Sequence, residues 1–79
     1  MPKSQNIIGP HLKTARRSRS LSQAMLAARC GTLGWDIGEN TIAKIETGIR
    51  CVTDRELVVL ARALRVKLRD VLPGHPAIF

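Results

Sequence analysis

The chain has 79 residues, with 13 Lys and Arg against 6 Asp and Glu for a formal charge of +7, and its only aromatic side chains are one Trp and one Phe. That length makes one domain, above the roughly 40-residue floor below which staples are usually required, and no apolar run approaches the roughly 18 residues of a membrane span. Two aromatics are too few for the stacking platforms of single-stranded RNA binding, whereas the positive field on so small a body concentrates polyanions, so nucleic acid is the expected partner and solubility the alternative use of the charge.

The apolar residues are mostly Leu, Ile, Val and Ala at helical spacing, which predicts an all-α bundle. Met1 to Gln5 reads as a polar tail, and Asn6 as the cap of a first helix running to about Ser18, with Pro10 in its first turn, where proline is tolerated. Ile8, Leu12 and Ala15 form its buried stripe, with Arg16 close to the same face. Ser22 suits the N-cap of a second helix, Leu21 and Leu26 make a hydrophobic staple across it, and the helix extends as far as Leu33 before Gly34 stops it. Met25 stands where an acid would complete a capping box.

A third helix starts near Gly38 or Glu39 and ends at Gly48, a suitable left-handed stop. At 100° per residue, Ile42 and Ile45 fall on one side with Glu46 beside them, and Asn40, Lys44 and Thr47 fall on the other. One face is built to pack and the opposite face to be read. Thr53 and Glu56 spell a capping box, and Val52 and Leu57 a second staple, for a fourth helix from Asp54 to about Leu64 with Leu57, Leu60, Ala61 and Leu64 as its stripe. A short fifth helix from about Leu68 to Leu72, ending at Pro73-Gly74, lacks a good cap. The whole chain reads as one domain with a core over about 6–72 and tail-like ends at 1–5 and 73–79.

The words Leu-Ser-Gln-Ala at 21–24, Leu-Ala-Ala at 26–28, Ile-Ala-Lys-Ile-Glu-Thr-Gly at 42–48 and Leu-Ala-Arg-Ala-Leu-Arg-Val at 60–66, in that order and spacing, resemble the phage-repressor (Cro-like, or xenobiotic-response-element) family of helix-turn-helix DNA-binding domains. The resemblance covers roughly Ile8 to Leu72. It implies a compact five-helix bundle of the lambda-repressor-like type, with the helix-turn-helix made by the second and third helices. Gly34-Trp35-Asp36-Ile37 lengthens the segment between those helices over the shortest family members, and Ser20 stands where the family usually has Gly, implying a differently shaped corner. The resemblance also implies that Arg16 and Glu46 form a structural ion pair tying the first helix to the end of the third, and that Ser22 and Gln23 meet phosphates at the start of the second helix, where free amides favour anions.

In the helix-turn-helix mode the third helix enters the major groove. Asn40 suits the N6 and N7 edge of adenine and Lys44 the O6 and N7 edge of guanine, while Glu39 can accept from cytosine N4 or repel phosphate and trim non-specific binding. Thr47 shares their face, and Arg50 with Thr53 would clamp the backbone after the helix. Each has a plainer reading as a helix starter or a solvated surface group, since a polar face is the default in a small bundle. Trp35 follows a helix stop and precedes Ile37, so core packing is favoured over stacking on a base.

Other classes fit poorly. His11 and His75 lie near opposite ends of the chain, and there is no Gly-rich phosphate loop, nucleophile elbow or acid pair, so no enzyme and no cofactor are expected. Cys30 and Cys51 form no C-x-x-C pair and give no zinc-site spacing with the histidines, so both are expected as thiols in a reducing, cytoplasmic setting. Lys and Arg are spread over several segments, which disfavours a membrane role. The functional expectation is a small transcriptional regulator, in the repressor sense, that reads double-stranded DNA; the family resemblance implies that it does so as a homodimer, with the fifth helix and the Pro73 to Phe79 tail as a candidate contact surface. Two alternatives stand beside it: an antitoxin-like autorepressor that also binds a partner protein, and a helix-turn-helix-shaped interaction module that does not read DNA.

Overall fold

A computed structural model describes residues 8–68, and among them the chain forms α1 (Gly9–Ser18), α2 (Gln23–Thr32), α3 (Glu39–Glu46) and α4 (Asp54–Leu64), with no strand. The described residues therefore hold four helices rather than the expected five. The fifth, anticipated over Leu68 to Leu72, lies outside them except for Leu68. The expected Asn6 cap lies outside them too. Where α1 begins, Ile8 occupies the N-cap position without a side-chain bond and Pro10 stands in the first turn, where its missing N–H would have had no intrahelical partner.

Each helix contributes its apolar stripe to one core. Leu12 from α1, Leu26 and Cys30 from α2, Ile42 and Ile45 from α3, and Leu60 and Leu64 from α4 are all fully buried. Every such Leu or Ile contributes about 1.5–3 kcal/mol relative to exposure. α2 packs on both α3 and α4, and α1 packs on α3. Trp35, Ile37, Val52 and Leu57 close over the edge of this cluster, so the lengthened α2–α3 segment is pinned by its own apolar residues.

Starts and stops of the helices follow from named side chains. Ser22 accepts from Met25 N at the head of α2, and Thr53 with Glu56 forms the full reciprocal capping box at the head of α4. All four helices stop the same way. One residue takes a left-handed conformation, and the next donates its N–H back five residues: Leu21 to Arg16 O, Trp35 to Cys30 O, Ile49 to Lys44 O and Val66 to Ala61 O. The left-handed residues are Ser20, Gly34, Gly48 and Arg65. Glycine adopts that region freely, whereas Ser20 and Arg65 carry a steric cost of about 1–2 kcal/mol from the Cβ.

Gly9 answers a different need. A Cβ at this position would lie 2.6 Å from the carbonyl oxygens of both Ile45 and Glu46, so the start of α1 approaches the end of α3 more closely than any side chain permits.

Two glycine exchanges should thus move stability in opposite directions. Ser20→Gly is expected to stabilise the fold by about 1 kcal/mol, raising the melting temperature by roughly 4–8 °C for a domain of this size. Gly9→Ala is expected to destabilise it by about 1–3 kcal/mol through overpacking against backbone. Thermal melts of the two variants beside the parent chain check both signs.

Candidate nucleic-acid interface

α3 places its two faces as the periodicity requires. Ile42, Ile45 and Glu46 are buried, while Glu39, Asn40, Lys44 and Thr47 are exposed. Gly48 ends the helix in a left-handed turn, and the N–H groups of Ile49 and Arg50 both return to Lys44 O, at 2.9 and 3.2 Å. This fixes the exit of the chain at the same turn that carries Lys44.

Glu46 is the buried anchor of the helix. Arg16 Nε lies 2.6 Å from its Oε2 and Nη2 lies 3.1 Å from Oε1, a two-pronged pairing across α1 and α3. The remaining Arg16 prong donates to Leu21 O at 2.6 Å, and Gln23 Nε2 donates to Glu46 Oε1 at 3.1 Å. Arg16 is 8% and Glu46 5% exposed, a depth at which an unpaired charge would be strongly unfavourable. One carboxylate thereby joins α1, the α1–α2 corner, the first turn of α2 and the last turn of α3.

The structure divides the eight residues expected at the interface into two groups. Glu39, Asn40 and Lys44 are exposed and make no side-chain hydrogen bond or ion pair with another described residue. They form an unengaged polar face. The other five already hold the fold. Ser22 and Thr53 are helix caps, Gln23 is on Glu46, and Thr47 Oγ1 donates to Ala43 O and Lys44 O. Arg50 is bound to Glu56 at 3.2 Å through each prong, and its guanidinium carbon lies 5.7 Å from the centre of the Trp35 ring.

Those inner bonds leave Ser22, Thr47 and Thr53 exposed, with acceptor capacity on their hydroxyls. One neighbour escaped the sequence reading. Ile49, 66% exposed, projects beside the exit of α3, although an apolar residue after a left-handed Gly usually packs back on the helix. The signal was its position one residue past Gly48.

Titration marks the same region. The Arg50 guanidinium bonded to Glu56 holds its carboxyl below the usual glutamate value, helped by the Thr53 N–H and opposed by partial burial. Elsewhere, burial pushes the Cys30 thiol up to about 11, while Cys51 is exposed, and the two are not joined in a disulfide. No cluster of His, Cys, Asp or Glu able to hold a metal occurs among the described residues, and no helix among them is long and apolar enough to cross a membrane.

Comparison with known families decides the assignment. The helix-turn-helix family model matches residues 12–71. The chain belongs to the Cro/C1-type helix-turn-helix family. No curated protein matches the sequence. Among solved structures, the restriction-modification controller protein C.AhdI from Aeromonas hydrophila is similar, at 28% identity and a TM-score of 0.72, over 82% of this chain and 91% of that one. As a Cro/C1-type helix-turn-helix domain, the protein falls among DNA-binding transcriptional regulators.

Two outcomes follow from the ion pairs. Glu46→Ala leaves Arg16 buried without its carboxylate and is expected to cost about 3–5 kcal/mol, a large share of the roughly 5–15 kcal/mol of a typical domain, measurable by urea unfolding. Because the folded-state pKa of Glu56 is lowered, its contribution is present above the ordinary glutamate value of about 4.3 and is lost as pH falls through the lower folded value. Melting temperature followed across that acid window should fall less steeply in Glu56→Gln than in the parent chain.

Proposed function

We infer that this protein is a sequence-specific reader of double-stranded DNA that acts as a repressor in the cytoplasm, as a homodimer on a two-fold symmetric site, with α3 in the major groove. The observation that carries this reading is the unengaged face of α3. Asn40 and Lys44 stand four residues apart on one side of the helix, with Glu39 beside them, opposite a buried face formed by Ile42, Ile45 and Glu46.

Their chemistry fits base edges. Asn40 presents the donor and acceptor pair that matches adenine, Lys44 donates to guanine, and Glu39 accepts from cytosine N4 or repels phosphate. Each good base pairing of this kind supplies roughly 1–3 kcal/mol of discrimination. Ser22 and Gln23 stand at the start of α2, and Thr47 and Thr53 follow α3; these are the segments that approach the backbone in the helix-turn-helix mode. The similar solved structure is that of a controller protein, which supports a regulatory role for a chain of nearly the same extent. A two-fold pair of such domains would set its reading helices about 34–36 Å apart, one turn of duplex.

Selection of duplexes from a random pool at about 150 mM salt tests the reading, because counterion release alone enriches no sequence. An enriched inverted repeat is expected. Lys44→Glu should abolish binding to the enriched duplex while costing only about 1 kcal/mol of stability, because it replaces a cation by an anion in the last turn of α3. Retention of binding in that variant, or failure of the parent protein to enrich any sequence, would overturn the assignment.

A further inference from the structure

Helix α3 has eight residues, and its N-cap, Gly38, supplies no side-chain bond. Local interactions therefore hold its entry end weakly. Trp35 lies in the segment that enters α3 and Arg50 in the segment that leaves it, and the two meet, guanidinium over indole at 5.7 Å. Edge-on, the same guanidinium bonds both oxygens of Glu56 in the first turn of α4, and it donates at 3.1 Å to Cys51 O.

We propose that Arg50 is a positioning residue, joining the entry and exit segments of α3 to the capped start of α4 and so fixing the axis of the reading helix, in place of the phosphate clamp that its position in the sequence suggests. This rests on the DNA-reading conclusion above. A guanidinium is suited to the task, because its planar face stacks on an aromatic ring while its edge bonds a carboxylate through two prongs. Its anchor is rigid. Glu56 Oε1 also accepts from Thr53 N, and Glu56 N donates to the Thr53 hydroxyl. A phosphate would have to take Arg50 from a carboxylate already bonded to it, and that carboxylate would itself repel the incoming charge.

The two roles give opposite signs in one experiment. Arg50→Gln, Arg50→Lys and Glu56→Gln are compared with the parent protein for affinity to the duplex that the parent selects, over a series of salt concentrations and under conditions where urea melts show every variant folded. The emission of Trp35, the single Trp of the chain, is recorded alongside.

If Arg50 positions α3, Arg50→Gln and Glu56→Gln both weaken specific binding by roughly tenfold, the fold-change of one misaligned base contact. The salt slope then stays unchanged, both variants shift the indole emission, and Arg50→Lys, which keeps the charge but not the fork, fails to rescue affinity. If Arg50 instead grips a phosphate, Arg50→Gln lowers the salt slope by about one and Glu56→Gln tightens binding by freeing the cation. That result overturns the proposal, as does lowered stability with unchanged affinity of the folded variants. Should the parent protein select no duplex, the DNA-reading conclusion falls by itself. The emission then decides the bracket: a shift in both variants upholds it, and unaltered emission in either removes it.

Discussion

A carboxylate in the last turn of a helix sits at the negative end of the dipole, and burial there removes the water that would otherwise screen it. Glu46 occupies that position, and the pairing with Arg16 and Gln23 is what makes it tolerable. Buried pairs of this kind add little net stability compared with a well-packed apolar replacement, but removing one partner is severe, so their worth lies in fixing geometry. Here the geometry fixed is that of α3 against α1 and α2. The close approach at Gly9 depends on it, because the carbonyls that leave no room for a Cβ belong to Ile45 and to Glu46 itself. The outward direction of Asn40 and Lys44 depends on it as well, since a helix held by Ile42, Ile45 and Glu46 has only one face left to present.

The helix ends extend the same logic to the corners. Each stop uses a left-handed residue and a backward hydrogen bond, which satisfies carbonyls that the helix leaves open and turns the chain within two residues. At Gly34 and Gly48 the residue suits the conformation. At Ser20 and Arg65 it does not, and the conformation is imposed by what surrounds it: Leu21 is buried directly after Ser20, and Arg65 O accepts from Arg19 Nη2. The corners are therefore set by packing on both sides of the turn rather than by local preference alone.

Features governed by a few neighbouring residues were legible in the chain itself. The Thr53 and Glu56 capping box, the Ser22 cap, the Gly48 stop and the bounds of α4 each follow from side chains within one or two turns, and the structure holds them. The opposition of the two α3 faces follows from periodicity. What escaped depends on residues far apart in sequence. Gly9 reads as a poor helix residue until the end of α3 is placed beside it. Gln23 reads, through the resemblance, as a phosphate contact until Glu46 is placed beside it, and Arg50 as a backbone clamp or a solvated cation until the α2–α3 segment brings Trp35 under it.

Charge counting misses the same long-range partners. Of the 13 basic residues, Arg16, Arg19, Arg29 and Arg50 bond acceptors of the protein itself, and Arg19 and Arg29 bond the carbonyls of Arg65 and Ala63 at the end of α4. A cation at a helix C-terminus is favourable in its own right, since it satisfies open carbonyls and opposes the dipole. Part of the positive balance is thus an internal device for closing helices. The exposed face of α3 carries a single cation, Lys44, with the anion Glu39 and the neutral Asn40. On the DNA reading proposed above, such a face gains little from charge alone, and its selectivity must come from matching hydrogen-bond donors and acceptors to base edges. Attraction at longer range then falls to surface cations such as Arg17, Arg55 and Arg62, all exposed. On the same reading, salt-sensitive attraction resides on cations outside α3 and sequence discrimination on the helix that the Arg16–Glu46 pair holds in place.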